Sequence, residues 1–397
     1  MQSRRISASM GVPRSHPTCP QDPTAVMNTA ARYPVAPAAR LQQIEQARRH
    51  ILFGHRAAAD ASVPPAIERS WRRCLAMGHR PQDRVVFDTV SAAAMNRASQ
   101  GSRPLRQAAT PVIRSMARAM LHTRYFAILT DAQGIVIDVQ GPLDRHDPHV
   151  AAIARIGVNL SEAAVGTTAI GTTLADLQPV WLHRGEHFFH DTSVFSCAGA
   201  PIWGPDGACI GMLDLTGVNV QEQPALKHLV IQSACAIENA LILARPHRLL
   251  LRISWPGRVP GGHDDGLVCL DADGVMAGAN RTARDMLGLA PGTSGHASQC
   301  FAIGIDTLFD AARHHRGAFE VPLWSGLQLQ VLARQADDRT GARQATGMAA
   351  HSVPLKDMET ALIRQAVDDA RGNVMEAARA LGISRATVYR KLGRRPA

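Results

Sequence analysis

Lysine is almost missing from this sequence of 397 residues, which contains only Lys227, Lys356 and Lys391. None of the three follows a glycine, so the pattern G-x-x-x-x-G-K-[ST] does not occur, and G-x-G-x-x-G and G-x-S-x-G are absent as well. The first pattern builds the phosphate loop of many nucleotide hydrolases, the second builds a dinucleotide site, and the third holds a hydrolase nucleophile. These three common classes of enzyme therefore lose their main support in the sequence.

Aromatic residues are also scarce, with 9 Phe, 5 Trp and 3 Tyr, which disfavours a single-strand nucleic-acid binder built on stacking platforms. The 7 cysteines include no C-x-x-C pair, so their spacing fits neither a structural zinc site nor a disulfide framework. No apolar run approaches the roughly 18 residues of a membrane helix, and the basic N-terminus lacks the apolar core of a secretory signal. We expect a cytoplasmic protein with reduced thiols, no bound metal or cofactor, and no membrane partner.

Positive charge is concentrated at the two ends of the chain. Residues 1–100 carry 14 basic and 6 acidic side chains, and residues 351–397 carry 9 and 5. Residues 384–397 contain five basic side chains and no acidic one. A basic end that also folds is a typical footprint of a protein that binds nucleic acid.

The residue pattern predicts an α+β protein of several domains. Three units place an apolar run on each side of a short turn that is closed by a glycine, which is typical of hairpins. Their turns are Asp131–Gly134, Gly204–Gly207 and Asp271–Gly274. Residues 1–40 lack periodicity and predict a disordered extension, while 245–265 and 336–352 are typical of linkers. Helical patterns cover residues 41–78, 105–121, 159–175, 224–244 and 281–289.

Residues 355–392 carry the most specific pattern in the chain, that of three short helices. The first is predicted from about Leu355 to Ala370, and Asn373 is a suitable N-cap for the second. Ser384 is the corresponding cap of the third helix, in which Val388 and Leu392 hold the core. The apolar face of the second helix comprises Val374, Ala377, Ala378 and Leu381.

The outer face of the third helix predicts contact with DNA. It comprises Thr387, Arg390, Lys391 and Arg394, with Arg385 in the first turn. The first turn of a recognition helix meets base edges, where arginine reads guanine, while lysine and helix-end amides bind phosphate. A helical hairpin with a solvated basic face is the alternative, but the caps, the turn glycine, the small contact residues and the charge agree on a DNA-binding unit.

Residues 371–392, RGNVMEAARALGISRATVYRKL, closely resemble the Fis-type helix-turn-helix that ends many bacterial enhancer-binding regulators. This resemblance implies that Ser384, Arg385, Thr387, Arg390 and Lys391 contact double-stranded DNA. It also implies that the unit acts as a homodimer.

Residues 157–174, GVNLSEAAVGTTAIGTTL, resemble the GAF domain of acetoin-catabolism-type activators, together with Glu186-His187-Phe188 and Cys197–Ile202. Ile67–Cys74 resembles the helical lead-in of that family, and Gly266–Leu289 resembles the start of a PAS domain more weakly. The resemblance implies a lead-in over 41–104, a GAF-like sensor over 105–245, a linker and PAS-like domain over 246–340, and the all-α Fis-type unit over 355–395.

Members of that family usually place an ATPase between sensor and DNA-binding end, to remodel polymerase that carries sigma-54. Here the PAS-like segment is followed by the helix-turn-helix without room for such a domain, and the phosphate-loop pattern is absent. The resemblance therefore implies a non-enzymatic, sigma-54 activator-related regulator of transcription. It would respond to a small organic effector and act through RNA polymerase contacts, a partner regulator, or occlusion of a promoter.

Five aromatic and histidine side chains are the candidates for the wall of an effector pocket, because such pockets combine aromatics with a few polar groups. They are Trp181, His183, His187, Phe189 and Phe195. The alternative, equally consistent with the pattern, is that they form the core and rim of the sheet. Cys197 and Cys209 fall on adjacent predicted strands, where the two thiols would be able to face each other.

Two other functions are compatible with parts of the sequence. His183-Arg-Gly-Glu186-His187 matches the metalloprotease pattern H-x-x-E-H, which would make the chain a metal-dependent hydrolase. That pattern needs a helix to bring both histidines to one face, whereas Pro179–Leu182 predicts a strand. The third hypothesis is an architectural DNA-binding protein without an effector, in which the sensor half serves only for dimerisation.

Overall fold

The computed structural model describes residues 37–54, 63–314, 317–336, 367, 373–380 and 384–392. The helices in this part of the chain are α1 (Pro37–Phe53), α2 (Pro65–Ala76), α3 (Ala92–Gly101), α4 (Arg103–Ala119), α5 (Pro148–Ile153), α6 (Glu162–Val165), α7 (Ala169–Asp176), α8 (Ala225–Leu243), α9 (Arg281–Leu287), α10 (Ile305–Arg313), α11 (Val374–Ala380) and α12 (Arg385–Leu392). The strands are β1 (Tyr125–Asp131), β2 (Val136–Gln140), β3 (Val180–His183), β4 (Phe195–Trp203), β5 (Cys209–Val218), β6 (Leu249–Ser254), β7 (Gly266–Leu270), β8 (Met276–Ala279), β9 (Phe319–Pro322) and β10 (Gln328–Gln335).

The first module is built on a five-stranded antiparallel sheet with the order β2-β1-β5-β4-β3. Its two hairpins are those that the sequence predicts, and the closing glycines Gly134 and Gly207 have φ angles of 82° and 81°. An L-residue with a side chain rarely adopts that backbone conformation, which explains why glycine ends each turn. Mixed helices and antiparallel strands confirm the predicted α+β class.

Both faces of this sheet are buried, each under a different set of helices. Phe126, Ile128 and Cys197 face a core that includes residues of α1, α2, α5 and α7. The alternate residues of the same strands, such as Ala127 and Ala198, face α4 and α8. Side chains alternate along a strand, so neighbouring residues in one strand belong to different cores.

The lead-in helices are part of the first module. Trp71 of α2 is fully buried, and its indole N–H donates to the carbonyl of Glu186 at 2.9 Å. Helix α1 begins at Pro37, so the predicted disordered extension over 1–40 is wrong for its last four residues; residues 1–36 lie outside the described part of the chain. The predicted first helical run, 41–78, corresponds to α1 and α2.

The second module is another five-stranded antiparallel sheet, in the order β8-β7-β6-β10-β9. Its middle strand, β6, lies inside the segment 245–265, which the sequence analysis takes for a linker; for Leu249–Ser254 that prediction is wrong. The physical reason is the apolar run at its start, because Leu249, Leu251 and Ile253 alternate into the core. The Pro- and Gly-rich part of the segment follows this strand.

Helix α8 connects the two modules and contributes to both cores. It is the one helix in the described part that is long and apolar enough to cross a membrane by length and composition. Val230 and Ile237 pack on the first sheet, whereas Ile242 packs with Leu267 and Cys269 of the second module. These two packing surfaces account for its apolar composition.

The described part of the C-terminal segment contains two short helices, α11 and α12. Asn373 Oδ1 accepts the backbone N–H groups of Met375 and Glu376 at 3.1 and 3.3 Å, and Ser384 Oγ accepts that of Thr387 at 3.2 Å. Both predicted N-caps are therefore formed. The predicted first helix over 355–370 lies outside the described residues, apart from Val367, which is buried.

Candidate functional site

A small cavity of about 30 Å³ lies in the core between the first sheet and helices α5 and α7. Its walls are mainly apolar, and among its twelve lining residues there is no lysine or arginine. A water molecule needs about 10–15 Å³ of such space, so the cavity has room for one or two waters in this conformation. The lining residues are Ile128, Ile153, Leu160, Thr168, Ala169, Ile170, His187, Thr192, Phe195, Cys197, Asp214 and Thr216.

Asp214 is the only acidic residue in this wall, and one of its two carboxyl oxygens lacks a hydrogen-bond partner. The Thr216 hydroxyl donates to Asp214 Oδ2, whereas Asp214 Oδ1 is buried without a hydrogen-bond partner. No cation lines the cavity, and burial raises the pKa of Asp214 to about 7. A buried acceptor without a donor costs free energy, which a bound hydrogen-bond donor would recover.

Two further polar residues of the wall, His187 and Cys197, are hydrogen-bonded to each other, and the Cys197 sulfur also lies 3.3 Å from the Thr216 hydroxyl. His187 Nδ1 lies 2.9 Å from the carbonyl of Arg184, which fixes Nδ1 as the protonated nitrogen because a carbonyl only accepts. Nε2 is then free to accept from the Cys197 thiol at 3.6 Å. Burial lowers the pKa of His187 to about 4 and raises that of Cys197 well above its usual value, so both side chains are neutral at pH 7.

The structure separates the five predicted pocket residues into three locations. His187 and Phe195 line the cavity. Trp181 and His183 lie on the opposite face of the sheet, where His183 Nδ1 is 2.7 Å from Ser196 Oγ and the Trp181 indole N–H donates to Glu222 at 3.3 Å. Phe189 is buried beside Phe188 and His79, outside the cavity wall.

Asp214 and Thr216 are among the wall residues that the sequence does not point to as pocket candidates. Both lie on β5 in the run Gly211-Met-Leu-Asp-Leu-Thr-Gly217, where a single acidic residue interrupts an apolar strand. A charged residue inside a predicted core strand is the signal that would have pointed to this site. Cys197 and Cys209 do not face each other, because Cys197 pairs with Thr216 and Cys209 with Trp203 in the register of β4 and β5.

The H-x-x-E-H pattern does not form a metal site in the described residues. His183 ends strand β3, and Arg184–Glu186 is a single 3-10 turn rather than an α-helix. Glu186 Oε2 accepts the backbone N–H of His183 at 2.7 Å, and its other oxygen contacts Arg40. Within the part of the chain that the structure describes, no three His, Cys, Asp or Glu side chains are grouped for a metal ion. The helix that the hydrolase hypothesis requires is not formed.

Helix α2 is hydrogen-bonded to α7, which lines the cavity, and to the neighbouring helix α6. Arg73 donates to Glu162 at 2.6 and 2.9 Å and to Asp176 at 2.8 Å, and burial leaves these two carboxylates 9% and 6% exposed. Ser70 donates within the same network to Glu162 at 2.8 Å. The pKa of Arg73 is raised, first by its hydrogen bond with Glu162. The cavity wall at Thr168 and Ile170 therefore depends on the lead-in helix.

The predicted DNA-contact residues are described only in part. Ser384 and Arg385 are exposed at the start of α12, Thr387 is half-buried, and Val388 is fully buried. The side chains of Arg390 and Lys391, and all of Arg394, lie outside the described residues. The first turn of α12 is thus exposed to solvent, while Val388, further along the helix, is buried.

Comparison with known families decides the classification. Residues 42–239 match the family described as MimR, N-terminal domain, and residues 354–394 match the family described as bacterial regulatory protein, Fis family. The chain is a Fis-family regulatory protein with a MimR N-terminal domain. The MimR match begins within α1 and ends within α8, so the cavity lies entirely within that domain.

Curated relatives of this Fis-family protein are named transcriptional regulators. It is 27% identical over 277 residues to the acetoin catabolism regulatory protein of Cupriavidus necator, a match that covers 68% of this chain and 41% of the relative. It is 30% identical over 210 residues to the propane 2-monooxygenase operon transcriptional activator MimR of Mycolicibacterium goodii, which covers 52% of this chain and 34% of the relative. The matches thus span less than half the length of these relatives.

Two solved structures show weaker likeness. The DhaR(N)–DhaL complex of E. coli aligns with 69% of this chain and 100% of that chain, at 13% identity and a TM-score of 0.43. An IclR homolog from Microbacterium hydrocarbonoxydans, complexed with 4-hydroxybenzoate, aligns with 51% of this chain and 98% of that chain, at 15% identity and a TM-score of 0.27. Scores below 0.5 do not establish a common fold.

Proposed function

We propose that this chain is a cytoplasmic, sequence-specific DNA-binding regulator of transcription that responds to a small organic effector and acts as a homodimer. The observation that carries the DNA-binding half is the capped helix α12, whose first turn presents Arg385 to solvent. The cap fixes where the helix begins, and the first turn is the part that a recognition helix presents to base edges. Thr387, Arg390, Lys391 and Arg394 complete the proposed DNA face.

The effector half of the proposal rests on the cavity beside Asp214. Its apolar wall, its free carboxyl oxygen and the absence of lysine or arginine from its lining favour a small neutral molecule that carries a hydrogen-bond donor. A carboxylate or phosphate would meet an acidic group without a compensating cation. The named roles of the relatives, in acetoin catabolism and a propane 2-monooxygenase operon, support a metabolite of few carbon atoms.

The regulator we propose has no ATPase of its own. The sequence contains no phosphate-loop lysine, and a second sheet of β6 to β10 occupies the chain between the MimR domain and the Fis-family segment. We assign the first module to the GAF-like class and the second to the PAS-like class. Regulation then proceeds through contacts with polymerase, a partner regulator, or promoter occlusion.

Footprinting of DNA that flanks the chain's own gene, followed by fluorescence anisotropy on the protected duplex, tests the DNA-binding half. Arg385→Ala should weaken binding by roughly 1–3 kcal/mol and relax the base preference at one position. Arg379→Ala, which changes an exposed arginine on α11, is the matched control and should leave the base preference unchanged. Failure of the full chain to hold any duplex in dilute salt would contradict the proposal.

Thermal unfolding of the full chain with short alcohols, hydroxyketones and matched carboxylates tests the effector half. A true effector at 100 times its Kd should stabilise the chain by about 2.7 kcal/mol. Asp214→Ala should abolish that shift, whereas Asp206→Ala, in the turn between β4 and β5, should retain it. An architectural protein without an effector would show no shift with any compound of the panel.

A further inference from the structure

A surface cleft of about 380 Å³ lies next to the small buried cavity, on the same side of the first sheet. It opens between the end of α4, the loop after β2, and α5. Its floor is apolar, whereas His122, Arg124 and Asp144 stand at its rim. The remaining lining residues are Leu121, Phe126, Pro142, Leu143, Asp147, Val150 and Val218.

The cleft and the cavity are lined by residues two positions apart on the same strands. On β1, Phe126 lines the cleft and Ile128 lines the cavity, and on β5 the corresponding pair is Val218 and Thr216. Residues two apart on a strand face the same side, so each pair forms a continuous row. The two compartments are therefore neighbours along one face of the sheet.

Helix α5 supplies the wall between them. Its Val150 lines the cleft and its Ile153, one turn further on, lines the cavity. The ring of His149 also packs at 6.1 Å, edge to face, against Phe195 of the cavity wall. A displacement of this helix would join the two compartments.

Helix α5 makes fewer tertiary hydrogen bonds than helix α7, which forms the opposite wall of the cavity. In the described part of the chain its side-chain hydrogen bonds are those of the Asp147 cap in its first turn, and the nearest tertiary hydrogen bond comes just after it, from Arg155 to the carbonyl of Phe87 at 2.8 Å. Val150 and Ile153 hold it through apolar contacts alone. Helix α7 in the opposite wall, by contrast, is bound to α2 through hydrogen bonds with Arg73 and Ser70. Segments with few tertiary bonds open at the lowest free-energy cost.

We propose that the surface cleft is the entrance to the effector cavity and that α5 is the movable wall between them. In the closed state the cavity holds one or two waters, and an outward shift of α5 admits a molecule of several carbon atoms from the cleft. This inference rests on the proposed effector site beside Asp214. It adds the route by which that site is reached and the element that moves.

Cys197 offers a direct readout, because its thiol lies in the cavity wall and is buried. The full chain is treated with methyl methanethiosulfonate, a small uncharged thiol reagent, and each cysteine's labelling rate is followed by peptide mass spectrometry. Val150→Ala makes the side chain between the cleft and the cavity smaller, and Val150→Phe makes it larger. Val230→Ala on α8 is the matched control, since it removes the same two methyl groups from the core on the other face of the sheet.

The expected result is labelling of Cys197 that is roughly tenfold faster in Val150→Ala and slower in Val150→Phe, with the Val230→Ala rate unchanged. Cys269, buried in the second module, should keep its rate in all variants. Equal Cys197 rates in all four proteins would overturn the proposal. So would a parallel rise at Cys269 or in Val230→Ala, because the thiol would then be exposed by unfolding.

This experiment uses no effector, so its outcome is separate from that of the proposed function. If Asp214→Ala loses the effector-induced thermal shift but the Val150 variants label at unchanged rates, the effector site is supported and the movement of α5 is contradicted. If Cys197 labels faster in Val150→Ala but no compound of the panel stabilises the chain, the movement of α5 is supported and the effector site is contradicted.

Discussion

The guanidinium group of Arg281 lies over the indole ring of Trp203, 4.5 Å from the ring centroid. Trp203 ends β4 of the first module and Arg281 begins α9 of the second, so this cation–π contact joins the two modules. The neighbouring turn contributes as well, since the Ala279 N–H donates to the carbonyl of Pro205 at 3.0 Å. Gly278 is required at this contact, because a Cβ there would lie 2.9 Å from Pro205 Cβ.

The strength of this junction is measurable by a double-mutant cycle. Trp203→Leu and Arg281→Met, alone and combined, should show a coupling energy of about 0.5–1 kcal/mol in urea unfolding. The exposed pair Arg258 and Asp264, 3.5 Å apart within one loop, is the control and should give a smaller value. Strict additivity of the Trp203 and Arg281 changes would show that the contact does not hold the modules together.

Asp214 should make the stability of the first module depend on pH. Its pKa in the folded chain is about 7, raised by burial above the unfolded value near 4, so the folded state binds the extra proton. Stability from this group is therefore highest below about pH 4 and falls as pH rises towards 7. Asp214→Asn removes this dependence.

The measurement is the difference in unfolding free energy between Asp214→Asn and the unchanged chain at pH 5 and pH 7. The difference should move in favour of the asparagine variant by up to about 2 kcal/mol over that interval. Glu186 and Glu238, with pKa values raised by burial to about 7, contribute the same trend to both proteins and cancel in the comparison. A pH-independent difference would show that Asp214 ionises normally in the folded chain.

Removal of Arg73 should destabilise the first module by roughly 2 kcal/mol, because Arg73→Ala leaves the buried carboxylate of Glu162 without its arginine and removes one of the two arginines that bind Asp176. Arg72→Ala is a control on the adjacent residue, since the Arg72 side chain is 69% exposed and pairs with Glu68 on its own helix. We expect that control to change stability by less than about 0.5 kcal/mol. Equal effects in urea unfolding would contradict the role assigned to the buried network.

The cap of α12 is testable apart from DNA binding. Ser384→Ala removes the acceptor for the Thr387 N–H and should lower the stability of the C-terminal unit by about 1 kcal/mol. Ser384→Asn keeps an N-cap acceptor and should restore most of that loss. Amide hydrogen exchange at Thr387 and Val388 reports the local effect. Faster exchange in both variants alike would reject the cap as the cause.

Sequence reasoning succeeds where a short stretch determines its own conformation. The glycines that close the turns at 134, 207 and 274 have the positive φ angles that the hairpin pattern requires, and Asn373 and Ser384 cap helices as their side chains allow. It fails at β6, whose short apolar run adjoins a Pro- and Gly-rich loop. Only pairing with β7 and β10 makes that run the middle of a sheet.

The sequence by itself determined the α+β class, the hairpins and the capped helices of the DNA-binding end, because local backbone preferences and short-range hydrogen bonds suffice for them. The tertiary structure alone decided which side chains share the cavity. His187 and Phe195 lie in the cavity wall with Asp214, whereas Trp181 and His183 lie on the other face of the same sheet. Successive side chains of a strand point to opposite faces of the sheet. Whether a residue lines the cavity therefore depends on the strand register and on which helices cover each face.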